Sequence, residues 1–394
     1  MQNTARLIIL SVLMLKTITS LFAVIAIRLL PLQLAFTIWR DPQYKNFGLE
    51  LPYLVSIWSN FDGFFYLAIA RDGYLSGQQP FFPLYPILIR LVTDRLALPY
   101  ALSAQIISLA ALVGAIGITV KLLAVDRKTA LTPLVFAAIL SFPTSYSYGA
   151  SYNDALFFFL ATLTLYFGRT RQWIRAGLAG AIATLARLNG LALFPFLITE
   201  YVLSWTGFLD IAHSIKALGK GLTIKRICAS RIWMAVLVPL AFLLYAAWVH
   251  RQFGDWQTLF RAMAVWGQDK LTFPPQVLWR YIKIIVLNPA PSLAYWVAIV
   301  EFGSVLLYGW AAVWSIGKIR WSYWIFFVVS LLIPSATGTF QGMPRYGLHL
   351  YPLFLIISMA LSDKTRLVQA IYVLVMLLLL FFCVTLFTRG YFIA

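Results

Sequence analysis

Residues Trp58-Ser59-Asn60-Phe61-Asp62-Gly63-Phe64-Phe65-Tyr66-Leu67-Ala68-Ile69-Ala70-Arg71-Asp72-Gly73-Tyr74 place two carboxylates among aromatic side chains. They follow the first long apolar segment, so they read as a loop beside a membrane. Only 11% of the residues are charged and 61% are hydrophobic, which makes an acid costly wherever lipid is near. Acids kept in such surroundings mark functional positions. Asp62 is the first candidate.

The rest of the chain supports a membrane reading. Its mean hydropathy is +0.83, and it holds 30 Phe, 14 Trp and 20 Tyr in 394 residues, which excludes an ordinary soluble domain. Runs of roughly 20 apolar residues recur, the length a bilayer-spanning helix needs. One integral membrane domain, 1–394, is expected. Near the start, Arg6 and Lys16 accompany an apolar run up to Pro31 without a small-residue cleavage site, so it reads as a retained signal anchor. The formal charge of +18 invites a nucleic-acid partner. The basic residues sit in short loops between spans, however, where topology and anionic membrane lipids account for them, so no nucleic acid is expected. Cys228 and Cys383 cannot build a disulfide framework, and His213, His250 and His349 are far apart in sequence. No divalent metal and no cofactor are implied.

Hydropathy predicts an all-α bundle of about eleven transmembrane helices, at 7–30, 101–123, 130–147, 153–168, 174–190, 191–207, 232–250, 292–315, 322–338, 347–361 and 367–388. Strict alternation then puts Arg127/Lys128, Arg169/Arg171/Arg175, Lys216/Lys220/Lys225/Arg226/Arg231, Lys318/Arg320 and Lys364/Arg366 on one side with Arg6. The positive-inside rule makes that side cytoplasmic. The outer loops are 31–100, 143–152, 251–291 and 339–346. Two apolar but charged stretches, 81–98 and 274–287, read as outer juxtamembrane helices in the first and third outer loops. For 81–98 a re-entrant hairpin is the alternative. In 274–287, Trp279, Arg280, Tyr281 and Lys283 are expected as interfacial anchors.

The unusual residues collect at the outer face. Asp62, Asp72, Asp154, Asp255 and Asp269 are joined there by Arg345, and Trp58, Tyr66, Tyr152, Asn153 and Tyr346 are candidate contacts for a substrate or acceptor. An acid supplies a general base, and a guanidinium clamps a phosphate through two oxygens at once. Each has a simpler reading. Asp62 and Asp154 suit the N-cap of the helix each precedes, Asp72-Gly73 suits a turn, and Arg345 suits a snorkelling interfacial cation. Arg187 interrupts a long apolar stretch, where a buried cation requires an anionic partner or ligand. Asn189-Gly190 reads as the turn between two spans, and Glu301 as a mid-span acid paired with a cation.

Phe61-Asp62-Gly63 with Tyr66, Ile69-Ala70 and Gly73-Tyr74, followed by Phe81-Phe82-Pro83-Leu84-Tyr85-Pro86, resembles the signature of PIG-V-type mannosyltransferases. These belong to the GT-C superfamily of multi-spanning glycosyltransferases. The resemblance continues in order through Tyr152-Asn153-Asp154-Ala155-Leu156-Phe157, Ala183-Thr184 with Arg187 and Asn189-Gly190, and Pro344-Arg345-Tyr346 leading to Tyr351-Pro352. Phe61 stands where the family often has Trp, and Asp154 where Glu is common. The resemblance implies a GT-C-like fold and an inverting transfer of one sugar, mannose in the family, from a polyprenyl-phosphate donor to a lipid or glycan acceptor on the non-cytoplasmic face. By position, Asp62 matches the base, Asp154 the second acid and Arg345 the donor-phosphate residue, with Arg187 as a second cation. The compact loops suit a bacterial relative in the plasma (inner) membrane.

Two rival classes are a non-enzymatic flippase or transporter of lipid-linked sugars and a polymer ligase using a diphosphate-linked donor. Transporters place charges and helix breaks at the bilayer midplane in related halves of the chain. Here the charges gather at one face and no half repeats the other. A diphosphate donor calls for a larger basic cluster than Arg345 provides.

The topology is directly testable. An impermeant thiol reagent applied to intact cells should label cysteines introduced in 40–80 and 251–275, and should not label Lys220→Cys. Labelling of Lys220→Cys from outside would invert the orientation.

Overall fold

A computed structural model describes residues 2–33, 51–206, 231–268, 270–287 and 292–393. The expected cytoplasmic loop 208–230, with Lys216, Lys220, Lys225 and Arg226, and the candidate Asp269 lie outside the described residues. All regular structure among the described residues is helical. The helices are α1 (Gln2–Leu29), α2 (Asp62–Asp72), α3 (Leu84–Leu96), α4 (Tyr100–Val125), α5 (Thr132–Ser141), α6 (Asp154–Arg169) and α7 (Trp173–Ala186). They continue with α8 (Leu193–Thr206), α9 (Leu237–Phe253), α10 (Pro274–Leu287), α11 (Leu293–Trp314), α12 (Trp321–Ser335), α13 (Tyr351–Ser362) and α14 (Arg366–Thr388).

Five of these are long and apolar enough to cross a membrane: α1, α4, α9 with the 3-10 turn leading into it, α11 and α14. The shorter apolar helices α5, α7, α8, α12 and α13, with the 16-residue α6, fall in the other segments read as spans from hydropathy. Several expected boundaries move. The stretch 130–147 is helical only to Ser141, and a 3-10 turn, Ser145–Gly149, follows. The stretch 347–361 begins with a 3-10 turn, and its α-helix opens at Tyr351. The two stretches 81–98 and 274–287 each contain a helix: α3 carries an exposed Arg90–Asp94 pair, and α10 opens at Pro274 as its prolines predict.

Packing follows side-chain size. α4 lies along α6, α6 along α7, α7 along α9, α8 along α12, and α1 along α14. The buried residues of α7 are small beyond Trp173, among them Ala176, Gly177, Ala179, Gly180 and Ala183. Small residues let helix backbones approach closely where lipid removes the hydrophobic drive to associate. A Cβ on Gly177 would lie 2.3 Å from the Met234 carbonyl oxygen.

α7 ends earlier than its hydropathy suggests. The Ala186 carbonyl accepts a hydrogen bond from Asn153 Nδ2 at 2.7 Å, and Arg187 turns extended at φ −161°, ψ 144°. Residues Leu188–Ala192 then form a 3-10 turn, fixed by Asn189 Nδ2 donating to the Ser330 carbonyl at 2.9 Å. The interruption is therefore at Arg187, and Asn189-Gly190 is the close crossing just after it.

That crossing yields a test. A Cβ at Gly190 would sit 2.4 Å from Thr184 Cα, whereas one at Gly117 would meet nothing within 4 Å beyond its own helix. Overpacking of this kind costs about 1–3 kcal/mol. Gly190→Ala should lower the unfolding midpoint in detergent, and Gly117→Ala should leave it near wild type.

Candidate functional site

Three chain segments converge at one end of the bundle. Asp62 begins α2, Asp154 begins α6, and Arg345 lies in the one-turn helix Met343–Tyr346. Arg187 enters from the break after α7. A cavity of about 120 Å³ is lined by Asp62, Tyr66, Asn153, Arg187 and Arg345, together with Pro80, Phe81, Met263, Gln268, Gln341, Gly342 and Phe392.

The segments are stitched by hydrogen bonds between loops. Ser59 and Ser151 hydroxyls meet at 2.8 Å, and Ser151 N–H donates to the Trp58 carbonyl at 2.9 Å. Tyr152 OH donates to the Asn60 carbonyl at 3.0 Å, and Asn60 Nδ2 donates to the Phe387 carbonyl at 2.9 Å. On the Arg345 side, Thr144 Oγ1 and Tyr308 OH both donate to the Pro344 carbonyl at 3.0 Å. Tyr148 OH donates to the Leu348 carbonyl at 2.5 Å. Phe61, immediately before Asp62, adopts φ 55°, ψ −119°. A non-glycine residue there is strained, and such strain persists only where the surroundings over-determine it. The Phe61 ring packs on Phe387 and Phe392, with centroids 5.7 and 5.4 Å away.

Within this frame the charges pair. Arg345 Nη2 lies 2.5 Å from Asp62 Oδ2, and its Nε lies 3.9 Å from Asp154 Oδ2. Arg187 Nη1 donates to Asp154 Oδ1 at 2.6 Å and approaches Asn153 Oδ1 at 3.3 Å. His349 Nε2 is 2.7 Å from the same Asp154 oxygen and 3.2 Å from Arg187 Nη1. A carboxylate accepts and a guanidinium only donates. His349 therefore carries its proton on Nε2 and donates to Asp154, leaving the Arg187 contact as a close approach. Burial disfavours the Arg345 charge, but Asp62 and Asp154 outweigh it and hold the guanidinium well above its ordinary value. Burial also pushes the Tyr66 hydroxyl well up, which keeps it a neutral donor.

These contacts replace the simpler sequence readings. Neither Asp62 nor Asp154 caps its helix, and the cap positions, Phe61 and Asn153, make no side-chain capping bond. Arg345 is buried, with 9% relative exposure, so it is not a snorkelling cation. Tyr152 and Tyr346 form aromatic platforms, 4.9 Å from the Arg345 guanidinium and 4.8 Å from that of Arg187. Trp58 is not among the cavity-lining residues; it is fully buried, with Lys16 Nζ 4.3 Å from its ring centroid. Asp72 pairs with its neighbour Arg71, and Asp255 pairs with Arg261. Neither joins the site. Tyr281 is no surface anchor: it is buried, and its hydroxyl donates to Glu301 Oε2 at 2.5 Å, so the partner of Glu301 is a tyrosine rather than a cation.

His349, Gln268 and Gln341 are the polar contributors that sequence reading missed. A lone histidine among apolar residues carries no spacing signal, and the two glutamines lie in polar loops where they are unremarkable.

The chemistry of the donor set is informative. Arg345 Nε and Nη1 are buried without a hydrogen-bond partner, as are Asp154 Oδ2 and His349 Nδ1. Buried polar atoms are nearly always bonded, so the two free N–H positions of Arg345 suit an anionic oxygen ligand. Among the described residues no group of His, Cys, Asp and Glu is arranged to hold a metal. The chain matches no protein-family model, and comparison with curated proteins gives no match.

The two acids should separate in a stability assay. The Asp154 side chain is fully buried between two arginines, whereas that of Asp62 is 20% exposed. Breaking a buried ion pair by removing one partner costs about 3–5 kcal/mol. Asp154→Ala should therefore sharply lower the unfolding midpoint in detergent, and Asp62→Asn should lower it much less.

Proposed function

We propose that the protein is an integral membrane glycosyltransferase that moves one sugar, mannose by resemblance, from a polyprenyl-phosphate donor to a lipid or glycan hydroxyl. The single observation that carries this reading is Arg345: a buried guanidinium at a cavity wall, beside a carboxylate, with two N–H positions lacking a protein acceptor. Arg345, with Arg187 behind it, binds the donor phosphate and stabilises the charge that grows on the leaving oxygen. Asp62 accepts the proton of the acceptor hydroxyl. That oxygen attacks the anomeric carbon from the face opposite the phosphate, the carbon–oxygen bond to phosphate breaks, and the phosphate keeps the electron pair. One displacement inverts the anomeric centre and needs only one base.

Asp154 holds Arg187 and His349 in place. Tyr66 and Asn153 line the cavity as hydrogen-bonding groups for the sugar. A second cavity of about 470 Å³, lined almost wholly by apolar groups including Ile69, Tyr74, Pro83, Pro86, Leu244 and Trp248, lies along the same α2 and suits a polyprenyl tail. The proposed setting is the bacterial plasma membrane, with eleven crossings, a cytoplasmic N-terminus and the site on the non-cytoplasmic side.

The test is transfer by purified protein supplied with radiolabelled polyprenyl-phosphate mannose and membrane lipid extract as acceptor. Asp62→Asn should still bind donor but lose about 100- to 10,000-fold in transfer rate, the usual contribution of a general base. Asp72→Asn should retain transfer. Arg345→Lys should weaken donor binding, because an ammonium cannot reproduce a two-pronged phosphate contact. Near wild-type transfer by Asp62→Asn would remove the assignment.

A further inference from the structure

A second ionic cluster lies at the opposite end of α6. Arg169, its last residue, donates through Nε and Nη2 to Asp126 Oδ1 at 3.1 and 2.8 Å, and through Nη1 to Glu200 Oε1 at 3.1 Å. Arg320 Nε and Ser322 Oγ donate to Glu200 Oε2 at 2.7 and 2.6 Å. Tyr323 and Tyr351 hydroxyls donate to Asp126 Oδ2 at 2.9 and 3.3 Å. The two carboxylates are thus neutralised by two guanidiniums, with every carboxylate oxygen engaged.

Above this neutral floor opens a cavity of about 330 Å³ whose charged lining is Asp126, Arg127, Lys128, Arg169, Lys318 and Arg320. Arg127, Lys128 and Lys318 form no ion pair with an acid among the described residues. The Lys128 Nζ contact is with Met359 Sδ at 3.4 Å, and Lys318 Nζ lies 3.6 Å from the Trp314 ring centroid. Arg320 commits only Nε to Glu200, which leaves its two terminal amino groups without a partner among the described residues. The result is a pocket with a rigid floor, three uncompensated cations and a free guanidinium fork, at the mouth of helices that leave an apolar bundle. A basic pocket between membrane helices selects anionic headgroups, and a guanidinium fork matches two phosphoryl oxygens.

We infer that this cavity binds the phosphoryl group of an anionic ligand, the headgroup of an acidic phospholipid being the source nearest at hand. It is a site separate from the one holding Asp62, and it holds whether or not that site transfers sugar.

The test uses the full-length protein in a neutral detergent, titrated with dioctanoyl-phosphatidylglycerol, dioctanoyl-phosphatidylcholine or inorganic phosphate, with thermal unfolding as the readout. A ligand that binds only the folded state raises the midpoint by an amount that grows with the logarithm of 1 + [L]/Kd. Phosphatidylglycerol should raise the midpoint and phosphatidylcholine should not. Lys128→Gln/Lys318→Gln should weaken the apparent affinity about 30-fold. The charge-matched control Lys364→Gln/Arg366→Gln, at exposed positions outside the cavity, should respond as wild type. Lys318→Gln alone, on an exposed side chain, should move in the same direction if the double variant is poorly made. Inorganic phosphate giving the same cavity-dependent shift would support the phosphoryl site with a soluble source. Equal affinity in the cavity and control variants, or an equal response to phosphatidylcholine, would overturn it.

Discussion

The whole site end of the bundle rests on one constraint: two carboxylates and two guanidiniums, all largely buried, must neutralise one another. Asp62 faces Arg345, and Asp154 lies between Arg345 and Arg187. In a low-dielectric interior none of these charges is tolerable alone. The surrounding backbone accepts irregular geometry to keep them together. α7 breaks so that Arg187 can turn inward, Phe61 takes a left-handed φ, and the chain before α13 tightens into a one-turn helix and a 3-10 turn. Nε and Nη1 of Arg345, a residue that lines the cavity, are left without a hydrogen-bond partner, and the proposed phosphate role rests on that.

The same constraint is met differently at the other end. Asp126 and Glu200 use all their oxygens on Arg169, Arg320 and three hydroxyls, so that cluster is complete. α6 joins the two, running from Asp154 to Arg169, and its 16 residues span about 24 Å at 1.5 Å per residue. The ten residues Ala155–Thr164 carry no charge. Ionic groups at both ends of an apolar helix of nearly bilayer length are the arrangement that a hydrocarbon slab imposes.

Much of this was legible in the sequence. Hydropathy located a helix in every expected segment, because apolar runs and charged breaks are read locally. Arg187 announced its need for an anion by interrupting an apolar run, and Asp154 meets that need. What was not legible depends on partners distant in the chain. Asp126 and Glu200 drew no notice in the sequence, because Arg169 and Arg320 close on them only in the fold. Glu301 was expected to face a cation, but a tyrosine from α10 reaches it first. Trp58 sits in the most conspicuous motif, yet packing against Lys16 and Phe387 withdraws it from the cavity. Hydropathy also ran past the ends of α5 and α7, since side-chain bonds to backbone carbonyls stop a helix without altering its composition.

The spacing of the paired charges along the chain sets an order of assembly. Asp154 and Arg187 are 33 residues apart, whereas Asp62 and Arg345 are separated by 283. During synthesis the first pair can close as soon as α6 and α7 are both in place, so neither charge waits long in lipid without its counter-ion. Asp62 has no acid-neutralising partner close to it in the chain and is paired only when the one-turn helix bearing Arg345 arrives behind α12. The cavity therefore comes into being only when nearly the whole chain has been inserted, and a protein truncated before α12 would hold the Asp154–Arg187 half of the knot with no pocket beside it.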